Sequence, residues 1–343
     1  MDSERGPRGG ANGLGAWRSA VVWGVLFCAC FTLGYPTLNR YDARELGPDW
    51  KVYYAAVQHK EDPTDFPFAA RVLVPAVARP FAAMAQGRLG TWDAVWFGLL
   101  VANSLFVASA AWVLLQMGLR VTGDAALALL GCTLYLLNFV VADLWLSGMV
   151  DGAEALLLLL VAWALLEDRW WWLPLIGIAG GMAKQSFLPL AVVFAGAWWM
   201  ATERKKRKPM RLAWVAGLGA TSMAAMMLTQ RAETGTMIWP WTVGAAWSGG
   251  REGDGFLLNL LHCFADHRFW YGFVWLLPVG VWRLKRLPRR WVAASLATGA
   301  AAAVLAAYGN IGGSLNRPLF EAVGPVLTVS AAMLLGEERS AEE

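Results

Sequence analysis

The 343-residue chain is 57% hydrophobic and only 16% charged, carries 21 Trp, and has a mean hydropathy of +0.44. A soluble domain of ordinary composition is about 25% charged, so this balance excludes a soluble enzyme or carrier and reads as an all-α integral membrane protein. The net charge is only +4, and nucleic acid is not expected as a partner.

A hydrocarbon core about 30 Å thick needs about 20 mostly apolar helical residues. Ten runs approach that length: 20–38, 95–117, 125–146, 153–166, 170–183, 187–202, 212–230, 269–282, 291–308 and 319–335. The runs 153–166, 170–183 and 187–202 are short enough to be re-entrant or tilted helices packed inside protein. Residues 1–17 read as a Gly-rich disordered tail, 18–336 as a single polytopic domain of about ten transmembrane helices, and 337–343 as a second tail. Arg5, Arg8 and Arg18 also fit the basic region of a signal peptide. The apolar run after them is long, however, and no small-x-small cleavage site precedes YPTLNRYD, so a span is expected.

Orientation follows from Lys and Arg, which resist translocation. With ten spans and a cytoplasmic N-terminus, the inner segments hold 17 of the 29 basic residues and 10 of the 25 acids, a balance of +7 inside against −3 outside. RKKRK (204–208) and RLKRLPRR (283–290) dominate the inner count. Both termini are thus expected in the cytoplasm, with long outer loops at 39–90 and 231–268.

In the first outer loop, Pro67 can open a helix, and Val72, Leu73, Val77, Phe81 and Ala82 recur at helical spacing. The stretch reads as a kinked amphipathic helix at the outer interface. Cys28, Cys30, Cys132 and Cys263 suggest no disulfide framework. The two His of HCFADH stand five apart, off the spacing that places a pair on one helix face, so no metal site is expected there. The clusters RWWW and WWM read as aromatic belts at the lipid interface.

The topology gathers polar residues on the outer side. The first loop supplies Asp42, Glu45, Asp49, Asp62, Asp65 and Arg71; DLWLSGMVDGAE adds Asp143, Asp151 and Glu154; GMAKQS places Lys184 and Gln185 between two short apolar helices; and the last span opens with Asn316, Arg317 and Glu321. Ionisable groups at membrane depth are costly, and several converging at one level mark a site or a pathway. Each also has a structural role open to it. Asp42 and Asp49 suit a solvated loop, Asp62 and Asp65 suit turns and caps, and Arg71 suits snorkelling toward headgroups. Asp151 suits an N-cap, and Arg317 with Glu321 suits an ion pair four residues apart. Lys184, with apolar sequence on both sides, is the hardest to explain without a function.

Taken together, a short tail, one span, a long outer loop with early Asp residues and an interfacial helix, then many spans with polar outer ends resemble the GT-C class of polyprenyl-phosphate-dependent glycosyltransferases. The matching stretches are Asp42 or Asp49, PFAARVLVP (67–75), Asp151, AKQ (183–185) and NRPLFEAVGP (316–325). Gln185 stands where such enzymes often carry Glu after the Lys. The resemblance implies sugar transfer from a polyprenyl-phosphate donor to an acceptor on the outer side of the plasma (inner) membrane. It makes Asp42 or Asp49 the general base, and Arg71, Asp151, Lys184, Gln185, Asn316 and Arg317 the substrate-binding residues. Its partners are membrane lipid and the lipid-linked sugar, and a divalent metal ion is the cofactor such chemistry could use. A lipid flippase or transporter, and a non-catalytic subunit held by partner membrane proteins, are the alternatives from other classes.

Overall fold

A computed structural model describes residues 16–40, 48–58, 68–90, 92–239, 255–308 and 315–340. It is all-helical, 84% helix, with no strand among the described residues. The Gly-rich residues 1–15, Asp42, Glu45, Asp62, Asp65 and Pro67 lie outside them.

Five helices are long and apolar enough to cross a membrane: α1 (Ala16–Arg40), α4 (Ala94–Thr122), α9 (Met210–Thr234), α13 (Arg289–Tyr308) and α14 (Asn316–Ser340). They coincide with five of the ten expected spans. In α4 and α14 the most apolar stretch is 78% and 72% buried inside the protein, against 22% in α1 and in α9. A helix apolar on all sides is either core or lipid-facing; here α4 and α14 form the core, and α1 and α9 flank it. The Asp93 carboxylate accepts from the backbone of Val95 at 2.8 Å and caps the start of α4, while Gly123, left-handed at φ 69°, ends it.

The other expected spans fall on shorter pieces. They are α5 (Ala125–Leu136), α6 (Asp151–Leu166), α7 (Leu173–Ala183), α8 (Phe187–Ala201), and the pair α11 (His267–Phe273) and α12 (Leu276–Gly280). The run 125–146 is not one helix. Asn138 interrupts it, its Oδ1 accepting from Val140 N at 3.0 Å and its Nδ2 donating to Gly272 O of α11 at 2.8 Å. A π-helical segment, Val140–Trp145, follows. An Asn amide that bonds nearby backbone competes with the helical ladder, which is why hydropathy alone reads straight through this break. The run 269–282 breaks likewise at Val274 and Trp275, between α11 and α12.

The interfacial helix is also placed differently. A 3-10 turn (Phe68–Ala70) precedes α3 (Leu73–Ala85), whose buried stripe is Val74, Ala78, Ala82 and Ala85 rather than Val72, Leu73, Val77 and Phe81. Small residues win the buried face because α4 approaches closely: a Cβ on Gly98 would stand 2.6 Å from Ala78 O. The same device joins α7 to α9, where a Cβ on Gly177 or Gly181 would meet the backbone oxygen of Leu218 or Ser222 at 2.6 and 2.2 Å. Helix pairs in lipid gain little from hydrophobicity and depend on such close packing.

One end of the bundle is basic. There Arg211 Nη2 lies 2.5 Å from Asp168 Oδ1 and its guanidinium stacks on Trp170, while Arg207 donates to Thr202 O at 2.7 Å and to Met200 O and stacks on Trp199. Trp171 and Trp172 are exposed beside it, as an aromatic belt requires.

The close helix contacts yield a direct test. Gly181→Ala is expected to lower the thermal midpoint of the purified protein, with a cost of about 1–3 kcal/mol from overpacking. Gly196→Ala, where a Cβ meets nothing within 4 Å, is expected to leave it unchanged or raise it by the helix-propensity gain.

Candidate functional site

At the opposite end of the bundle, four chain segments distant in sequence bring charged side chains together. Asp151 begins α6. The turn before it is fixed by Trp50 Nε1, which donates to Ser147 O at 2.7 Å, and by Gly148, whose φ of 97° lets the chain pass under the Trp96 ring. Lys184 sits at the corner between α7 and α8. That corner is tight because the Phe187 ring packs where a side chain on Gly180 would have to be. Arg317 and Glu321 lie in the first turns of α14.

Lys184 Nζ stands 2.8 Å from Asp151 Oδ1 and 2.8 Å from Glu154 Oε2, and 4.0 Å from Glu321 Oε1. The contact with Asp151 is a hydrogen bond, and the second oxygen of Asp151 takes Arg317 Nη1 at 3.3 Å. Asp151 and Glu154 are wholly inaccessible, and Glu321 and Lys184 nearly so. Asp151 is therefore no N-cap: Val150 holds that place without a side-chain bond, and the carboxylate serves two cations. Nor do Arg317 and Glu321 form the expected pair with each other; Arg317 turns to Asp151 and Glu321 faces Lys184.

A second layer surrounds this cluster. Arg71 does not snorkel. It is buried, donating through Nε to Gln185 Oε1 at 2.8 Å and through Nη1 to the Tyr53 hydroxyl at 2.5 Å, with its guanidinium over the Phe68 ring. Tyr53 belongs to α2 (Pro48–Gln58). Burial holds its phenol above the ordinary value, so the hydroxyl keeps its proton at neutral pH and can donate while accepting from Arg71. Helix α2 is anchored by Tyr54, whose hydroxyl lies 2.6 Å from Asp93 Oδ2, and by Arg79, which donates to Ala56 O at 3.0 Å.

Asp49, in the first turn of α2, is half-buried and acts electrostatically on both Tyr53 and Arg317. Asn316 Nδ2 donates to Arg268 O at 3.3 Å, and its Oδ1 caps the Arg317 N–H at 2.8 Å. Arg71, Asp151, Lys184, Gln185 and Arg317 thus converge, Asp49 borders them, and Asn316 positions Arg317. Asp143 does not join them; it sits half-buried on the π segment, with Arg268 as its nearest cationic influence.

Glu154 and Glu321 are larger contributors than their sequence positions indicate, and Tyr53 carried no sequence signal. The spacing of three between Asp151 and Glu154 puts both on one face of α6 and could have flagged the first.

Oxygens of Asp151, Glu154 and Glu321 all lie within 4.8 Å of one another, a donor set chemically suited to a hard cation. The Lys184 ammonium already occupies the centre, 2.8 Å from two of them. As arranged, this constellation does not fit a divalent ion.

Because Lys184 compensates buried carboxylates, its removal is expected to destabilise the fold. Lys184→Met should lower stability by about 3–5 kcal/mol, as breaking a buried ion pair does, and adding Glu154→Gln should recover part of the loss in the same thermal-melting assay. This revises the expectation that a charge removed from membrane depth is harmless: the ammonium is costly alone but not beside three acids. Compared with known protein families and with curated proteins, the chain matches no family model and no entry.

Proposed function

We propose that the chain is a polytopic membrane protein of the plasma (inner) membrane, with ten membrane-embedded segments and both termini cytoplasmic. In this reading it transfers a sugar from a polyprenyl-phosphate donor to an acceptor on the outer side, as the resemblance to GT-C enzymes implies. The observation that carries the reading is the convergence of Arg71, Lys184 and Arg317 around Asp151 at the end of the bundle away from the basic loops.

The chemistry asks for a base and for cations. The acceptor hydroxyl attacks the anomeric carbon; its proton passes to a carboxylate; the bond from that carbon to the phosphate oxygen breaks, and the lipid phosphate leaves with the electron pair. Asp49 is the base within the described residues, since it is half-buried at the rim rather than locked in the cluster; Asp42, the other expected base, lies outside them. Arg317, whose side chain is 13% exposed, and Arg71 are the cations placed to meet leaving phosphate, and a planar guanidinium suits phosphate oxygens. Lys184 acts at one remove, holding Asp151 and through it Arg317. Helix α3 borders the groove that admits the lipid tail.

One observation favours a second reading. Lys184 and Arg317 are already paired with carboxylates, and the cluster fills its part of the interior, as a non-catalytic subunit of a membrane complex would arrange it. The two readings separate on variants that leave the buried core intact. Asp49→Asn and Arg317→Lys are each expected to reduce transfer from a polyprenyl-phosphate sugar, assayed in nanodiscs, by on the order of 100-fold with folding retained. Unchanged transfer, or none in the wild type, supports the subunit reading.

Topology is tested separately. Reporters fused after Glu343 and within 204–208 are expected in the cytoplasm, and a tag within 233–255 outside. An external C-terminus would contradict the ten-segment arrangement.

A further inference from the structure

Among the described residues, the charges of the cluster do not balance by contact. Three carboxylates, Asp151, Glu154 and Glu321, surround Lys184, with Arg317 reaching only the first of them in the recorded ion pairs. Asp151 is satisfied by both cations. All four oxygens of Glu154 and Glu321 are buried without a hydrogen-bond donor, although carboxylates in such surroundings demand one. The two residues lie on different helices, α6 and α14, with oxygens within 4.8 Å of each other.

A separate feature points to the same place. Between α6, α8, α13 and α14 lies a cavity of about 10 Å³, lined by Glu321, Ser295 and apolar side chains including Trp291 and Phe194. Ser295 Oγ is wholly buried and also lacks a partner. Room for one water beside two orphan polar groups meets the condition for a buried, bonded water.

We infer that Glu154 and Glu321 together bind one proton as a carboxylic acid–carboxylate pair, and that a water in the adjoining cavity links Glu321 to Ser295. The proton supplies the missing donor, one carboxyl O–H bonding the other carboxylate, and leaves the pair with a single negative charge for Lys184. The water takes up a remaining oxygen of Glu321 and the Ser295 hydroxyl. Two carboxylates held this closely do not both ionise without further cations. The groups facing the pair are Lys184 from the α7–α8 corner, Asp151 from α6, Arg317 from α14 and the Tyr135 phenol from α5, with Arg71 beyond Gln185. Of these only Lys184 stands in ion-pair contact with Glu154 and Glu321. The cluster therefore contains an exchangeable proton next to its ammonium, and the inference does not depend on the transfer reaction proposed above.

Infrared spectroscopy of the wild-type protein in nanodiscs at pH 7 tests this without any variant. A carbonyl stretch of a protonated, buried carboxyl is expected, and it should be lost in both Glu154→Gln and Glu321→Gln, because each removes one half of the pair. Thermal melting gives the second measure. Each single Gln variant keeps the charge of the pair and is expected to melt at the wild-type temperature or above, whereas Glu154→Gln with Glu321→Gln strips the last negative charge and should melt clearly lower. Absence of the protonated band in the wild type overturns the inference, as does a single Gln variant that misfolds or melts as low as the double variant.

Discussion

One buried ammonium, that of Lys184, set among three buried carboxylates governs how the helix ends of this protein are arranged. Ions taken out of water are tolerated only where counter-charges meet them at contact distance, so the start of α6, the α7–α8 corner and the start of α14 have to lie together. The backbone helps in two places. Asp151 sits at the positive N-terminal end of α6, and Lys184 at the negative C-terminal end of α7. Arg317 is the exception, a cation in the first turn of α14 where the helix dipole opposes it, and its contact with Asp151 offsets that placement.

Around this polar knot the packing is made by small residues. Gly98 against Ala78, and Gly177 and Gly181 against the backbone of α9, bring helix axes close enough for dispersion to act over long seams. The core helices α4 and α14 are apolar on every side and mostly covered by protein, so the fold has an inside independent of lipid. The broken elements, joined by the Asn138 bond to Gly272, depart from regular helix and sit beside α14 through Phe273 and Phe320. Apart from them lies the basic end, where Arg207 and Arg211 are tied to backbone and to Asp168 and lean on Trp rings. The two ends of the bundle are thus chemically opposite, one knotted inward and one spread toward a surface.

Much of this was legible in the sequence because charge inside apolar runs is conspicuous. Lys184, Asp151, Arg71 and Arg317 stand out on hydropathy alone, and the structure brings them together. Partner choice was not legible. Arg317 and Glu321, four apart on one helix, read as a mutual pair, but tertiary neighbours at shorter range claim each of them. Tyr53 read as an ordinary aromatic, since nothing local reveals that Arg71, 18 residues on, will donate to it. The Asn138 break escaped a window of apolar residues because one amide changes backbone bonding without changing mean hydropathy. On α3 the large side chains suggested the wrong buried face, since the face is chosen by how closely α4 approaches and not by residue size.

The central claim is that this end of the bundle receives a lipid-linked phosphate. The most direct measurement is an experimentally determined structure of the protein in nanodiscs containing a polyprenyl phosphate. The account predicts the phosphate within hydrogen-bond reach, about 3 Å, of Arg317 or Arg71, with its tail leaving the bundle alongside α3. A polyprenyl phosphate bound elsewhere, or a cluster that stays closed and unchanged at saturating lipid, would contradict it.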